Sequence, residues 1–460
     1  MRLGMMFVSQ ANYDIQSYQI VGKLASEGKN VYEMTSRYNY GPIWFLILGV
    51  VYKVSLLFQD QLTAFRLCIT IIISIVDVCI AFSLWKIYSK WIAILFILNP
   101  ISIILTGTHG QFDNLAILVA LWAAYLYQNA GYKWNDRNRI IGLILLGISV
   151  VIKHIFILLP FWWLLKSKNW KSRLVLVAIP FGIFLVSFVP WIRAYHSIFT
   201  NVFLYRSEED AVLYHMMLPY QLQVYITKYV FFYIMIALCG IYARRLKILD
   251  SLLFYTLAFV VFSYAVANQY FAIPLVFVSA YLSIFGTAYS IVFMLNNLPP
   301  IFGFISPFSF SSLYVLLFTV ITYYVIRHSK YFIRKNMLLS VLFTIVITFI
   351  LIWYPPKAEE LTINPIRDAI HANNYDKAVM LLSKSPKLPA QIENRYYQEI
   401  IPYVQELKYY KLYKQASALL NSNKLNSEQI KSMISTIPHT VGFYDDVKRL
   451  MNEMGNIHTD

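Results

Sequence analysis

Apolar runs of membrane-spanning length follow one another along this chain with few charges inside them, and that succession restricts its fold more than any motif does. A helix needs about 20 mostly apolar residues to cross a hydrocarbon core of ~30 Å. Runs near that length lie at about 65–85, 91–107, 114–128, 174–191, 224–242, 250–266, 309–327 and 337–354. The chain is 58% hydrophobic and 13% charged, against about 25% charged in soluble proteins. Backbone groups in lipid must be satisfied within the segment, so the expected fold is all-α: a polytopic transmembrane helical bundle of about ten membrane segments.

Three stretches do not read as simple spans. Residues 140–165 carry Lys153 and His154 at mid-run, followed by Pro160; a charge at mid-bilayer is expensive, so two half-helices meeting near one surface are expected there. Residues 41–58 are short and broken by Lys53, which suits a re-entrant segment. The run 271–295, with Gly286 in its middle, reads as a bent hairpin.

The net charge of +16 does not point to nucleic acid, because the basic residues stand in short clusters between apolar runs, as topogenic charges do. These clusters are Lys86 and Lys90; Lys133, Arg137 and Arg139; Lys166, Lys168, Lys171 and Arg173; Arg244, Arg245 and Lys247; and Arg327, Lys330, Arg334 and Lys335. One threading puts all of them on the cytoplasmic side. It sends Asp14, the 109–113 cluster, Lys153 with His154, the loop 193–223, and Asn268 with Gln269 to the external face. Cys68, Cys79 and Cys239 lie in apolar runs and form neither a disulfide framework nor a metal-ligand spacing. MRLGMMFV is too short for a cleavable signal peptide or a span.

Three domains are expected: a polar external loop over 1–40, a membrane core over 41–355, and a soluble helical domain over 356–460 that begins after Pro355 and Pro356. In that last part, YDKAVMLL at 375 and YKQASALL at 413 share spacing. Amphipathic helices of a small domain explain them, and helix-hairpin repeats are the alternative.

The densest polar constellation is NPISIILTGTHGQFDN at 99–114, which delivers Thr108, His109, Gln111, Asp113 and Asn114 between two apolar runs. Polar groups there cost several kcal/mol unless a partner, water or ligand satisfies them. Two readings stand: a site wall for sugar hydroxyls or a phosphate, and interhelical hydrogen bonding. One His and one Asp do not make a zinc site, and no metal is assigned. Asp14 is either a general base beside a low-dielectric wall or the cap of the helix that follows. Lys153 and His154 either bind an anion at the half-helix break or snorkel to headgroups. Asp77, inside a span, needs a partner such as Arg66 or another basic group. Arg193, Arg206 and the acidic run 207–210 read as a solvated loop.

In order, the chain offers an early loop Asp14, YNYGP, Arg66-Leu67 with Asp77, GTHGQFDN, Gly142 to Lys153-His154, and NQYFAIP. Over residues 10–295 this series resembles the polytopic GT-C glycosyltransferases, which use sugars carried on dolichyl or polyprenyl phosphate. The resemblance implies Asp14 as the catalytic base on an acceptor hydroxyl, with inversion at the transferred sugar. It also implies a pocket shaped by His109, Gln111, Asp113 and Asn114, Lys153 with His154 near the donor phosphate, and Arg66, Asn268 and Gln269 as further binding residues. Asn268-Gln269 stands where the family often has HE. No DxD occurs in the first loop, so the metal-dependent variant gains no support. The family's first transmembrane helix has no counterpart unless MRLGMMFVSQ is its remnant. The implied partners are a lipid-linked hexose donor such as a mannose carrier, a glycan, lipid or protein acceptor, and the bilayer. A flippase of lipid-linked glycans and a non-catalytic membrane scaffold are the alternative classes.

Overall fold

Proline and short polar caps decide where the helices start. Pro42, Pro100 and Pro160 each lie in a helix's first turn, where the missing N–H costs nothing. Side chains of Asn12, Asp60, Asn99 and Asp136 accept from the first free backbone N–H groups of the helices they precede. The computed structural model describes all residues except 132, 205–210, 219–224, 266, 302–310, 329–363, 385–391, 422–426 and 457–460. Among the described residues the regular structure is entirely helical.

The first unit, Met1–Lys335, begins with α1 (Arg2–Val8), α2 (Tyr13–Ser26), α3 (Val31–Met34), α4 (Pro42–Ser55), α5 (Gln61–Ile87), α6 (Lys90–Ile97), α7 (Pro100–Thr108), α8 (Asp113–Gln128), α9 (Arg137–Ile152), α10 (Leu159–Leu164) and α11 (Trp170–Val186). Residues 1–40 therefore hold three helices, and α2 covers most of the QSYQIVGKLASEG segment that follows Asp14. A helix is as stable as its buried face, and α2 buries Ile15, Tyr18 and Val21 while α1 buries Met6. Short helices over 189–203 and Val212–Met217, and then Lys228–Ala243, Ile248–Phe262, the turn Asn268–Ala272, Leu275–Ala280, Ile284–Ile301 and Ser311–His328, follow in the unit.

α5 is long and apolar enough to cross a membrane; the bent pairs α6 with α7 (45°) and α11 with Val189–Phe203 (63°) raise that number to three if each pair is one span. The apolar run 91–107 is thus divided into two helices just before Pro100. The run 140–165 divides at Lys153, as a pair of half-helices should, because Lys153 is extended (φ −154°, ψ 126°). The hairpin over 271–295 breaks at 281–283 rather than at Gly286, which lies inside Ile284–Ile301 and lets Val278 approach: a Cβ there would come within 2.8 Å of that side chain. The expected span 337–354 lies outside the described residues.

α5 is apolar on both faces. Ile69, Ile73, Ile80 and Leu84 point inward, while Ile71, Ile75, Val78, Phe82 and Trp85 form an exposed stripe at helical spacing. A helix apolar all round needs an apolar environment on its outer side. Close helix contacts run through small residues. Gly22 meets Leu48 of α4, Gly142 meets Ala123 and Tyr127 of α8, and Gly147 meets Ile183 of α11, each at a distance that a Cβ would bring below about 3 Å.

At 27 residues, α5 is about 40 Å long and separates two polar ends. Near its start, Arg66 donates to the Met6 and Ser9 carbonyls at the end of α1. Past its end, the Tyr88 hydroxyl donates to Asp250 at 3.2 Å. Lys166 donates to the carbonyls of Ala243 and Leu246, and Gln128 accepts from the Leu249 N–H, so four connections gather there.

The second unit, Asn336–Asp460, starts earlier than the Pro355-Pro356 junction suggested, at a point outside the described residues. Its core stacks Tyr375 on Tyr410 and sets Phe443 against both. Glu406 ties it by accepting from the Tyr375 hydroxyl and the Gly442 N–H, each at 2.9 Å. YDKAVMLL opens the helix Tyr375–Lys384, whereas YKQASALL forms the last turns of Ile392–Asn421. The two segments do not hold equivalent places, which favours the small-domain reading.

Candidate active site

Two tight backbone approaches build the site. Gly110 has φ +61°, the left-handed region that costs glycine nothing, and turns the chain between α7 and α8 against Ile15 of α2. Gly41 lies against the end of α9, where a Cβ would fall 2.0 Å from the Val151 carbonyl oxygen. The first sets the HGQF turn against α2. The second sets Tyr40 over the break at Lys153.

Gln111 Nε2 donates to Asp14 Oδ2 at 2.5 Å, and the Tyr18 hydroxyl donates to Gln111 Oε1 at 3.2 Å. Gln111 and Tyr18 are buried and Asp14 is half-buried. The carboxylate is held from one side and open on another. Burial raises the pKa of Asp14 above the usual carboxylate value; Lys153 pulls it back down, Asp113 pushes it up, and the Gln111 hydrogen bond lowers it. Asp14, Gln111, Asp113 and Lys153 thus form one electrostatic cluster, although 14 and 153 lie at distant places in the sequence.

Asp113 opens α8, and Lys153 stands at the α9 break. Asp113 Oδ1 and Lys153 Nζ are 2.6 Å apart, with side chains 0% and 4% exposed. The approach is an ion pair rather than an aligned hydrogen bond, and Asp113 Oδ2 has no hydrogen-bond partner among the described residues. Around the ammonium, the rings of Phe112, Tyr40 and Tyr270 stand 5.1, 5.2 and 5.7 Å away. Such faces stabilise a cation electrostatically. Trp44 stacks on Phe112 at 4.4 Å, which fixes that ring. Tyr270 belongs to the turn Asn268–Ala272, so this turn is brought beside the site. Asn268 and Gln269 are half-buried in it.

The other expected site residues go elsewhere. Asn114 is engaged with Asp77, donating to its Oδ1 at 2.5 Å. Asp77, fully buried, also accepts from Arg2, Ser102 and Thr106 at 2.9, 3.0 and 2.8 Å. Its basic partner is Arg2, and Arg66 is used instead on the backbone at the end of α1. α1 packs along α5 and α7, so Arg2 is the other basic group that Asp77 needed, and the end of α1 takes up Arg66. His109 meets Asn12 (Nδ1 to Nδ2, 3.1 Å), which also caps α2. Burial lowers its pKa to about 4, so it holds the start of α2 as a neutral ring. His154 lies beside Tyr40 at 6.3 Å with Nδ1 buried and unpaired among the described residues.

Sequence reasoning missed the aromatic enclosure of Tyr18, Tyr40, Trp44, Phe112 and Tyr270. Its one local signal is the aromatic residue before each turn, as in YNYGP and GQFD. Among the described residues no three His, Cys, Asp or Glu side chains gather as a metal site does.

An apolar groove of about 850 Å³ runs beside this cluster. Pro42 and Ile43 of α4, Ile148 and Val151 of α9, and Ile183 and Val186 of α11 line it. Val151 is shared between the groove and the Gly41 contact. No family model, curated protein or solved structure matches the chain.

Proposed function

We propose that this chain is a multi-pass membrane glycosyltransferase of the GT-C type. In this reading it moves a hexose, mannose being one candidate, from a polyprenyl-phosphate carrier to an acceptor hydroxyl on the extracytoplasmic side. The observation that carries the reading is the junction of Asp14 with the HGQFD turn: a half-buried carboxylate of raised pKa held by Gln111, with a buried ammonium in the same cluster. Asp14 takes the proton of the acceptor hydroxyl, and the oxygen forms its bond to the anomeric carbon. The bond from that carbon to the phosphate oxygen breaks, with inversion. Its electrons leave on the polyprenyl phosphate, where the field of Lys153 offsets the added negative charge.

Two further features support this reading. The apolar groove along Val151 suits an isoprenoid tail, because it is nearly free of polar groups and its lining includes Pro42 and Val151, each two positions from a residue of the cluster's wall, Tyr40 and Lys153. The two-sided apolar helices suit a bilayer, with α6–α7 and α9–α10 as broken segments of the kind that carry polar groups into membranes. On this threading the Lys166 and Arg244 end is cytoplasmic and Asp14 external.

The test is sugar transfer from a panel of radiolabelled polyprenyl-phosphate hexoses to membrane extract by purified wild type and Asp14→Asn. The proposal expects transfer by the wild type and at least a hundredfold loss in the variant, as removal of a general base typically gives. Equal transfer by both, or none by the wild type with any donor, refutes it. Scrambling of a labelled lipid-linked glycan by both proteins would indicate a flippase.

A further inference from the structure

We propose a second site, at the other end of the unit from Asp14, that binds the phosphate of an anionic lipid headgroup. It rests on the membrane reading of α5 and does not depend on glycosyl transfer. The turn after Leu275–Ala280 and the last turn of Ser311–His328 enclose a pocket of about 270 Å³. Tyr281, Ser283, Tyr323, Tyr324, Arg327 and His328 give it a mainly polar lining, in contrast to the apolar groove at the other end.

Arg327 supplies the charge. Its Nη1 makes one long contact, 3.4 Å to the Tyr323 hydroxyl, and among the described residues no carboxylate pairs with it. A guanidinium has five N–H donors in a fixed fork that matches phosphate oxygens. His328 is oriented for the same ligand: Nδ1 lies 2.9 Å from the Tyr324 carbonyl oxygen. A carbonyl can only accept, so Nδ1 carries a proton; a phosphate oxygen also only accepts, so Nε2 donates to it only when the ring carries both protons, and Arg327 makes the main contact.

Among the described residues, Asp250 is an acid that interacts with the tyrosine lining, through Tyr281 and Tyr324. It accepts from the Tyr88 hydroxyl, interacts with Tyr281, and is attracted to Lys166. Its carboxylate is thus engaged by Tyr88, Tyr281 and Lys166, and it forms no ion pair with Arg327 among the described residues.

The rim selects a lipid over a soluble anion. Leu282 and Ile284, on either side of Ser283, are 57% and 78% exposed. Large apolar side chains flanking a basic polar pocket fit a molecule with a phosphate and acyl chains, and basic pockets at the cytoplasmic ends of helices are where anionic headgroups bind.

The experiment uses the full chain in nanodiscs of phosphatidylcholine alone or with added phosphatidylglycerol. Native mass spectrometry reads retained lipid, and thermal unfolding reads stabilisation. Wild type should retain phosphatidylglycerol and unfold at higher temperature with it. Arg327→Gln combined with His328→Gln should weaken retention about tenfold or more, the loss of one charge-assisted contact of ~1.5 kcal/mol. Arg173→Gln, a basic change elsewhere, should leave retention intact. If the double variant unfolds early in phosphatidylcholine alone, Arg327→Gln replaces it in the comparison. Unchanged retention by the Arg327 variants, or equal loss in Arg173→Gln, overturns the site. Equal stabilisation by inorganic phosphate in phosphatidylcholine discs overturns the lipid assignment in favour of a soluble phosphate compound.

Discussion

Replacing Lys153 by Met should destabilise the first unit far more than deleting the whole ion pair does. At the 2.6 Å separation of Lys153 and Asp113, the gross attraction is about 6 kcal/mol at an effective dielectric constant of ~20. Desolvating both groups costs several kcal/mol each, so the intact pair contributes little net stability. Removing the ammonium alone leaves Asp113, 0% exposed, as an uncompensated buried charge, at a cost of about 3–5 kcal/mol. Neither side chain is solvated, so screening gives no discount. The expected fall in the thermal midpoint is roughly 5–10 °C for a unit of this size. Lys153→Met with Asp113→Leu should recover most of it, because no buried charge remains. Size-exclusion chromatography of heated, detergent-solubilised protein gives the midpoints, with Lys29→Gln at the exposed Lys29–Glu27 pair as an unchanged reference. The recovered double variant should fold and yet transfer no sugar, which separates the pair's chemistry from its role in stability. The reasoning fails if the double variant is as unstable as the two single losses added together.

Transfer by the wild type should rise with pH through the pKa of Asp14, which lies above 3.8, and a rate–pH profile of Asp14→Asn should be flat and near zero. Because the folded state favours the protonated form, stability from this group is present below pH 3.8 and lost as pH rises through its folded pKa. Asp14→Asn should therefore unfold no earlier than wild type at pH 7, as calorimetry would show. Asp77→Leu should cost about 3 kcal/mol or more, since it leaves Arg2, Ser102, Thr106 and Asn114 without their acceptor, and chemical unfolding checks this. His109 favours its neutral form, with a pKa of about 4, so its contribution is full above pH 6.5 and lost as pH falls toward 4; His109→Gln should flatten the midpoint in that window. Gly41→Ala should cost about 1–3 kcal/mol by overpacking against Val151, and quenching by labelled donor lipid should report the displaced Tyr40 wall as weaker binding.

Local chemistry sufficed for much of the helix pattern. Apolar runs placed α4, α5 and α8 within a few residues of their observed ends, because the run length acts on neighbouring backbone, whereas 91–107 has the length of one span and is two helices. The Lys153 break was legible for the same reason: an ammonium inside an apolar run forbids a continuous buried helix there. The sequence alone therefore determined an all-helical chain with interrupted apolar segments, and singled out Asp14, Gln111, Asp113 and Lys153 as groups needing partners. Which partner each one found was settled by packing. Arg2 took Asp77 and Arg66 took the end of α1, because α1 docks on α5 and α7 through contacts between residues about 60 to 100 positions apart, and Asn114 turned to Asp77 across the α5–α8 contact. Spacing along a strand of sequence cannot encode such pairings, since a buried charge accepts any complementary group that the close-packed helices bring within reach.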